Sequence, residues 1–391
     1  MFSEGLRTDR TPSRHNEDLY SFLDRSAVPF FKAVRDLIEA WVSRVPGDHR
    51  AQLVGSLRSR SREEFESAFW ELYLHEAYTS SGHTVTIHPA LPHSSSRPDF
   101  LIESEATRFY LEAVRVGRSV SLVAEEKRLD EVHVAINSLP VGRFMVDVTT
   151  YAIGPRPLAT RGLRNRLQAW LAGLDPQEVA RTASSSAGFG GLPRFDLRHD
   201  GWHLAFYALP LKSEAISVRG LVGTLGPGEA HVVDNISGFA RALRTKSLKY
   251  GPLNDQLVVA VLSNTEIPTK DYEVEQVLFG VSSRRPVEAS ERPEDLFRDG
   301  HWLSRAGWRR GHAPRVISMQ GLNPWDVTKV QPRLWSTLEP GVTLPAQPPW
   351  LAEVDVAGVE AQVGPAAGLN ELFGLPKDWL SRGPEWDISG G

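Results

Sequence analysis

The stretch that most constrains this chain is Phe109-Tyr110-Leu111-Glu112-Ala113-Val114. Its aromatic and aliphatic residues read as a strand, yet a carboxylate stands in the middle. A strand-interior glutamate among apolar neighbours is costly unless it is paired or binds a metal. Thirteen residues upstream, Arg97-Pro98-Asp99-Phe100 opens another strand. Proline holds the chain extended and cannot continue a ladder inward, so it belongs at a strand start and presents Asp99 at that edge. The spacing between Asp99 and Glu112 accommodates a strand, a tight turn and a return. Adjacent antiparallel strands would then bring the two carboxylates together, and a hard divalent cation such as Mg²⁺ relieves their repulsion.

The helix expected over 62–79 adds a third acid. At about 100° per residue, Glu64, Ser67, Glu71 and His75 share one face, while Phe65, Phe69, Trp70, Leu72, Tyr73 and Leu74 fill the others and Glu66 lies off the polar stripe. Glu71, central in the stripe, is the candidate metal-site carboxylate; His75 reads as a stripe neighbour. Taken singly, each acid has an ordinary account: Asp99 as a strand-start residue, Glu112 as the partner of an arginine in the sheet, Glu71 as part of a solvated face. Their joint spacing favours a metal site.

Around this stretch, apolar periodicity marks helices at about 27–45, 121–139, 158–174, 236–250 and 271–279, and strands at 85–88, 144–153, 202–211 and 256–262. Residues 1–24 lack periodicity and read as a weakly ordered lead-in, and 338–350 are Pro-rich and read as a surface connection. The expected organisation is an N-terminal helical lead-in at 1–60, a core at 61–153, an α/β elaboration at 154–337, and a connection and tail at 338–391. The chain contains no cysteine, which excludes disulfides and thiolate chemistry, and its net charge of −4 excludes a polycationic nucleic-acid coat. There is no apolar run of about 18 residues and no signal-peptide pattern at the N-terminus, so no membrane partner and a cytoplasmic, bacterial-type protein are expected. Phosphate-loop, nucleophile-elbow, zinc-helix and dinucleotide-fingerprint motifs are absent.

Helix acid, Pro-Asp on one strand, Glu on the next, then a helix: this order resembles the PD-(D/E)xK nuclease superfamily over about residues 62–153. The resemblance implies an α/β fold with a restriction-endonuclease-like core, a central mixed sheet flanked by helices, here carrying a large α/β C-terminal elaboration. It implies Mg²⁺ (or Mn²⁺) held by Asp99 and Glu112, assisted by Glu71 and by the backbone carbonyl of Ala113, and a lysine that orients or activates the attacking water. That lysine belongs two residues after Glu112, where Val114 stands; Arg115 follows but points to the opposite face by strand alternation. Lysine supplies only eight of the 44 positive charges, so few replacements exist. Lys127 lies on the expected 121–139 helix, nearly opposite its apolar face. Lys246 lies in an apolar stripe with Phe239, Leu243 and Tyr250, where it either snorkels or meets a buried partner. Lys246 is preferred over Lys127 as the displaced catalytic cation.

A basic-aromatic stretch completes the inventory. Arg305, Arg309 and Arg310 stand near Trp302 and Trp308, and Arg161 and Arg164 lie on the 158–174 helix. Arginines with aromatics suit phosphate contact and base stacking, although a surface loop in an arginine-rich chain gives the same pattern. The expected function is Mg²⁺-dependent hydrolysis of phosphodiester bonds in nucleic acid, DNA ahead of RNA. The alternative, which Val114 favours, is a catalytically inactive nuclease-fold module that binds nucleic acid or protein. A protein partner, a homo-oligomer or a defence complex is the expected context.

Overall fold

The computed structural model describes the chain except for residues 15–16, 118–119, 140–142, 184–190, 212–221, 224–234, 266–268, 281–299, 305–306, 310–311, 345, 357–361 and 387–391. The chain divides into two units. Met1–Pro12, Glu17–Arg118 and Val233–Trp386 form the first; Ser119–Val232, with Ser13–Asn16 and Asp387–Gly391, form the second.

The first unit begins with α1 (Leu19–Arg25), α2 (Pro29–Arg44), α3 (Gly47–Leu57) and α4 (Arg62–Ser80). The expected loose lead-in is corrected here: the Met1 amine and the Phe2 amide both bond to Glu39 of α2, at 2.5 and 2.7 Å, and the Phe2 ring stacks on Tyr20. Helix α3 escapes a periodicity reading because Pro46-Gly47 looks like a stop; Pro46 ends α2 and at the same time caps α3. Helix α4 starts where Ser61 accepts the Glu64 amide, with Glu63 and Glu64 in its first turn complementing the helix dipole. Phe65, Phe69, Trp70, Leu72, Tyr73 and Leu74 of α4 are all buried.

Three antiparallel strands follow: β1 (Thr84–Ile87), β2 (Phe100–Glu103) and β3 (Arg108–Val116). In the β2–β3 register Phe100 faces Leu111. One step further along this pairing sets Asp99 opposite Glu112.

The chain then leaves for the second unit, made of α5 (Val120–Asn137), β4 (Phe144–Ala152), α6 (Thr160–Ala172), α7 (Pro176–Ala183), β5 (Arg194–His199), β6 (Trp202–Pro210) and β7 (Val222–Gly223). Its sheet has the order β5-β6-β4-β7, and Val132, Ile136, Val146, Val148, Leu163 and Phe206 join in its core. This corrects the expected core at 61–153. The helix and strand anticipated at 121–139 and 144–153 exist, but they bury their apolar faces against each other and α6 rather than on the strands that carry Asp99 and Glu112.

The first unit resumes with α8 (Asn235–Ser247), β8 (Gln256–Ser263), α9 (Asp271–Phe279), β9 (Leu303–Ser304), β10 (Gly307–Trp308), β11 (Arg315–Gln320), β12 (Arg333–Ser336), β13 (Ala352–Asp355), β14 (Gln362–Val363) and α10 (Leu369–Leu372). The result is a mixed eight-stranded sheet, β1-β2-β3-β8-β11-β12-β13-β14, in which β8 runs parallel to both β3 and β11. β8, β11 and β12 thus join the first sheet, so a single elaboration at 154–337 does not form. The tail expected at 338–391 also belongs to this unit: Trp350 and Leu351 are buried, β13 extends the sheet, and Trp386 packs against Phe31.

Strand alternation gives the sheet two cores. Phe109, Leu111 and Ala113 of β3 pack on the α4 side with Val258, Ala260 and Leu262 of β8. Tyr110 and Val116 pack on the opposite side with Val259, Val261, Phe239 and Leu243 of β8 and α8. Glu112 shares the parity of Tyr110 and therefore faces α8. No helix among the described residues is long and apolar enough to cross a membrane.

Candidate active site

Asp99 and Glu112 are joined reciprocally through the backbone. The Asp99 amide donates to Glu112 Oε2 at 3.3 Å, and the Ala113 amide donates to Asp99 Oδ2 at 2.7 Å. Pro98 sets this up by delaying the ladder until Phe100, which leaves the Asp99 N–H to reach a side chain. Glu112 is fully buried. Ala113, expected to lend its carbonyl, is tied to the site through its N–H.

A buried carboxylate needs donors, and α8 and the turn that follows it supply them. Lys246 Nζ lies 2.5 Å from Glu112 Oε1 and Lys249 Nζ lies 3.2 Å from the same oxygen. The Tyr250 hydroxyl donates to Glu112 Oε2 and sits 3.1 Å from the Arg97 carbonyl. The helix expected to run to residue 250 ends at Ser247, and Gly251 with φ +69° turns the chain toward β8. Lys246 thus meets a buried partner. Its side chain remains 24% exposed, so it meets solvent as well as Glu112. Because the second unit interrupts the chain between β3 and β8, α8 is the helix that follows β3 within the first unit.

Lys249 and Tyr250 were not singled out by sequence reasoning. The signal was present in the sequence: in a helix expected to reach residue 250, positions 246, 249 and 250 take the i, i+3 and i+4 spacing of one face, and the turn after Ser247 still brings all three to Glu112. Val114 packs beside the α8-side core, and Arg115 points the other way, to Glu66 on α4, as strand alternation requires. Glu66, off the polar stripe, is buried and paired with both Arg62 and Arg115.

Glu71 approaches from α4. Burial, with the neighbouring charges of Asp99 and Glu112 adding to it, pushes its carboxyl up to about 8, while Lys246 pulls it down. Burial and the Glu112 charge likewise push Asp99 up to about 6. Among the described residues no three His, Asp or Glu side chains are arranged to hold a metal ion, so the expected set of Asp99, Glu112 and Glu71 does not form a ready-made cage. What exists is an opposed pair of acids with a third, proton-holding acid nearby and two lysines on one oxygen. The upward shifts at Asp99 and Glu71 come first from burial and then from the neighbouring acid charges, which Lys246 only partly offsets.

The remaining expected residues lie elsewhere. In the second unit Lys127 of α5 and Arg161 of α6 are exposed, and Arg164 of α6 is half-buried, its guanidinium bonding to Ser138 at 3.3 Å. Lys127 and Lys246 belong to different units, and only Lys246 is bonded to Glu112. Arg309 is exposed next to β10, whereas Arg305 and Arg310 lie outside the described residues. Trp302 is buried with its indole N–H on the Ala313 carbonyl at 2.7 Å, so it packs the core and is no stacking platform. Compared with family models, curated proteins and solved structures, the chain gives no match.

Proposed function

We propose that this protein is a metal-dependent nuclease of the PD-(D/E)xK plan, hydrolysing phosphodiester bonds in nucleic acid, with its lysine supplied by α8. The observation that carries the reading is the 2.5 Å contact between Lys246 and a Glu112 that stands opposite Asp99. The element order supports it as well: helix α4, three antiparallel strands bearing Pro-Asp and Glu, helix α8, then β8 parallel to β3. That is the order the sequence resemblance implies, once the second unit is recognised as an insertion.

Asp99 and Glu112 are the residues that would hold Mg²⁺ or Mn²⁺. Such an ion, when bound, lowers the pKa of water and neutralises charge that develops on phosphate. The chain's own part is positional. Lys246 and Lys249 set positive charge beside the acids, where it attracts an anionic backbone and orients a water. Tyr250 fixes the Glu112 carboxylate. Val114, unable to donate a hydrogen bond, leaves this work to α8.

A second reading has its own observation. Both oxygens of Glu112 already accept from protein donors, which is also how a retired site would be filled. On that reading the first unit binds nucleic acid or a protein partner without cutting. The test is incubation of purified protein with plasmid and with RNA in Mg²⁺ or Mn²⁺, beside Asp99→Ala and Lys246→Met, with calorimetric titration of the metal. Cleavage lost in both variants, with metal binding lost in Asp99→Ala, is expected. Absence of cleavage by the wild type under both metals would select the binding module.

A further inference from the structure

A cleft of about 280 Å³ opens between α3, α4 and the end of β1, within the first unit. Glu71 links it to the acids, because its carboxyl both lines the cleft and feels the charges of Asp99 and Glu112. The polar stripe of α4 faces into this space: Ser67, Glu71 and His75 contribute to the wall, with His49 from α3 and His88 from the end of β1 opposite. Leu53, Leu72 and Phe100 supply apolar surface.

Three observations give the cleft a chemical preference. The described residues that line it include no lysine or arginine, while Glu63, Glu64 and Glu71 do line it, so a phosphate is repelled. His75 is only 5% exposed and its Nδ1 has no hydrogen-bond partner, although buried ring nitrogens are normally paired. His88 is held at φ +48°, a conformation uncommon outside glycine, and its amide bonds to the Asp99 carbonyl at 2.9 Å, so the strained residue joins the cleft to the site. The rings of His49 and His88 lie edge to face, 5.5 Å apart. An uncharged planar ligand with donors and acceptors on its edge and an apolar face matches this lining, and the volume sits near the lower end for small-ligand sites.

We infer that the cleft is a base pocket, receiving one unstacked nucleobase of the strand whose phosphate lies at Asp99 and Glu112. The inference rests on the nuclease reading and narrows its substrate to single-stranded or locally unpaired nucleic acid, for which removing a base from its stack costs least. The imidazoles of His49 and His88 present ring surface, and Ser67 and Glu71 present hydrogen-bonding groups to the base edge.

The test is a titration in EDTA, where no metal-dependent cutting occurs, with a short single-stranded DNA carrying one 2-aminopurine and with the same oligonucleotide carrying an abasic site there. Wild type should give a saturable fluorescence change and bind the abasic strand at least about tenfold more weakly, the scale of one lost base–ring stack. Ser67→Trp, which fills the cleft from the α4 wall, and His49→Ala, at a half-buried position, should both abolish that discrimination while leaving abasic affinity unchanged. Equal affinity for the two strands, discrimination that survives Ser67→Trp, or no binding at all would overturn the pocket. Cleavage of the same strand in Mg²⁺ or Mn²⁺ is scored separately. Cutting without base discrimination refutes the pocket and leaves the nuclease; base discrimination without cutting supports the pocket and refutes the nuclease.

Discussion

Replacing Lys246 by methionine keeps the apolar stem against α8's neighbours and removes only the ammonium. Glu112 has no exposure to water, so its carboxylate cannot recover the lost contact from solvent. Lys249 at 3.2 Å, Tyr250 and the Asp99 amide remain. A charge-assisted hydrogen bond to a buried group contributes about 1.5–3 kcal/mol, and Lys246, still 24% exposed, offsets little of it by desolvation. Lys246→Met should therefore destabilise the first unit by about 2 kcal/mol, roughly thirtyfold in its folding equilibrium. Glu112→Gln should cost about 1 kcal/mol, because the freed lysine can turn to water. The double variant should then cost little more than Glu112→Gln alone, a coupling of about 2 kcal/mol. Urea unfolding at pH 7, followed by tryptophan fluorescence from the buried Trp70, Trp335 and Trp350, measures all four corners of this cycle. Additivity within about 0.5 kcal/mol would show that the two side chains are neighbours without being partners, and the displaced-lysine argument would lose its physical basis.

Glu71 in the folded protein holds its proton up to about 8 against an ordinary value of 4.5, so the native state binds more protons than the unfolded chain across that window and stability falls as pH rises through it. Glu71→Gln should gain on wild type from about pH 4.5 to 8 and level off above, in thermal melts without divalent ions; a constant difference across the range would contradict the assignment. Asp99, raised to about 6, adds a loss of the same sign that is complete at lower pH. Tyr250→Phe removes one donor to Glu112 and should cost about 1–2 kcal/mol in urea unfolding and slow cleavage about tenfold; unchanged cleavage would make Tyr250 a packing residue only. Glu66→Ala should cost about 3 kcal/mol by leaving the largely covered Arg115 without its carboxylate, whereas Arg62→Ala, removing the exposed partner, should stay within about 1 kcal/mol. Equal effects of the two would mean that Arg115 finds water.

The pair Asp99 and Glu112 was legible because strand period and proline placement are local properties, and β2 and β3 are joined by a short turn. Lys246 was legible as an anomaly, a charge in the apolar stripe of α8, although its partner was not, since pairing across a long chain separation leaves no local trace. The insertion was hidden for a specific reason. Val120–Asn137 and Phe144–Ala152 are an amphipathic helix and a β-branched strand at the place where the sequence resemblance expects a helix and a strand, so periodicity alone accepts them. The choice is made by burial: Val132 and Ile136 find Leu163 and Phe206, not the sheet of β1–β3. Helix α3 was missed because a Pro-Gly pair punctuates both an ending and a beginning. The role of Glu66 was missed because only the fold brings Arg115 beneath α4.

Lys246 follows Glu112 by 134 residues. On a ribosome adding about 5–20 residues per second, the acids are made roughly 7–27 seconds before the cation that completes them. Closing so long a loop carries an entropic cost that grows with its logarithm, and a second unit with its own core shortens the free chain that must be closed. The second unit therefore separates the acids from their lysines in time, and an unfinished or truncated product carries the acids without those lysines.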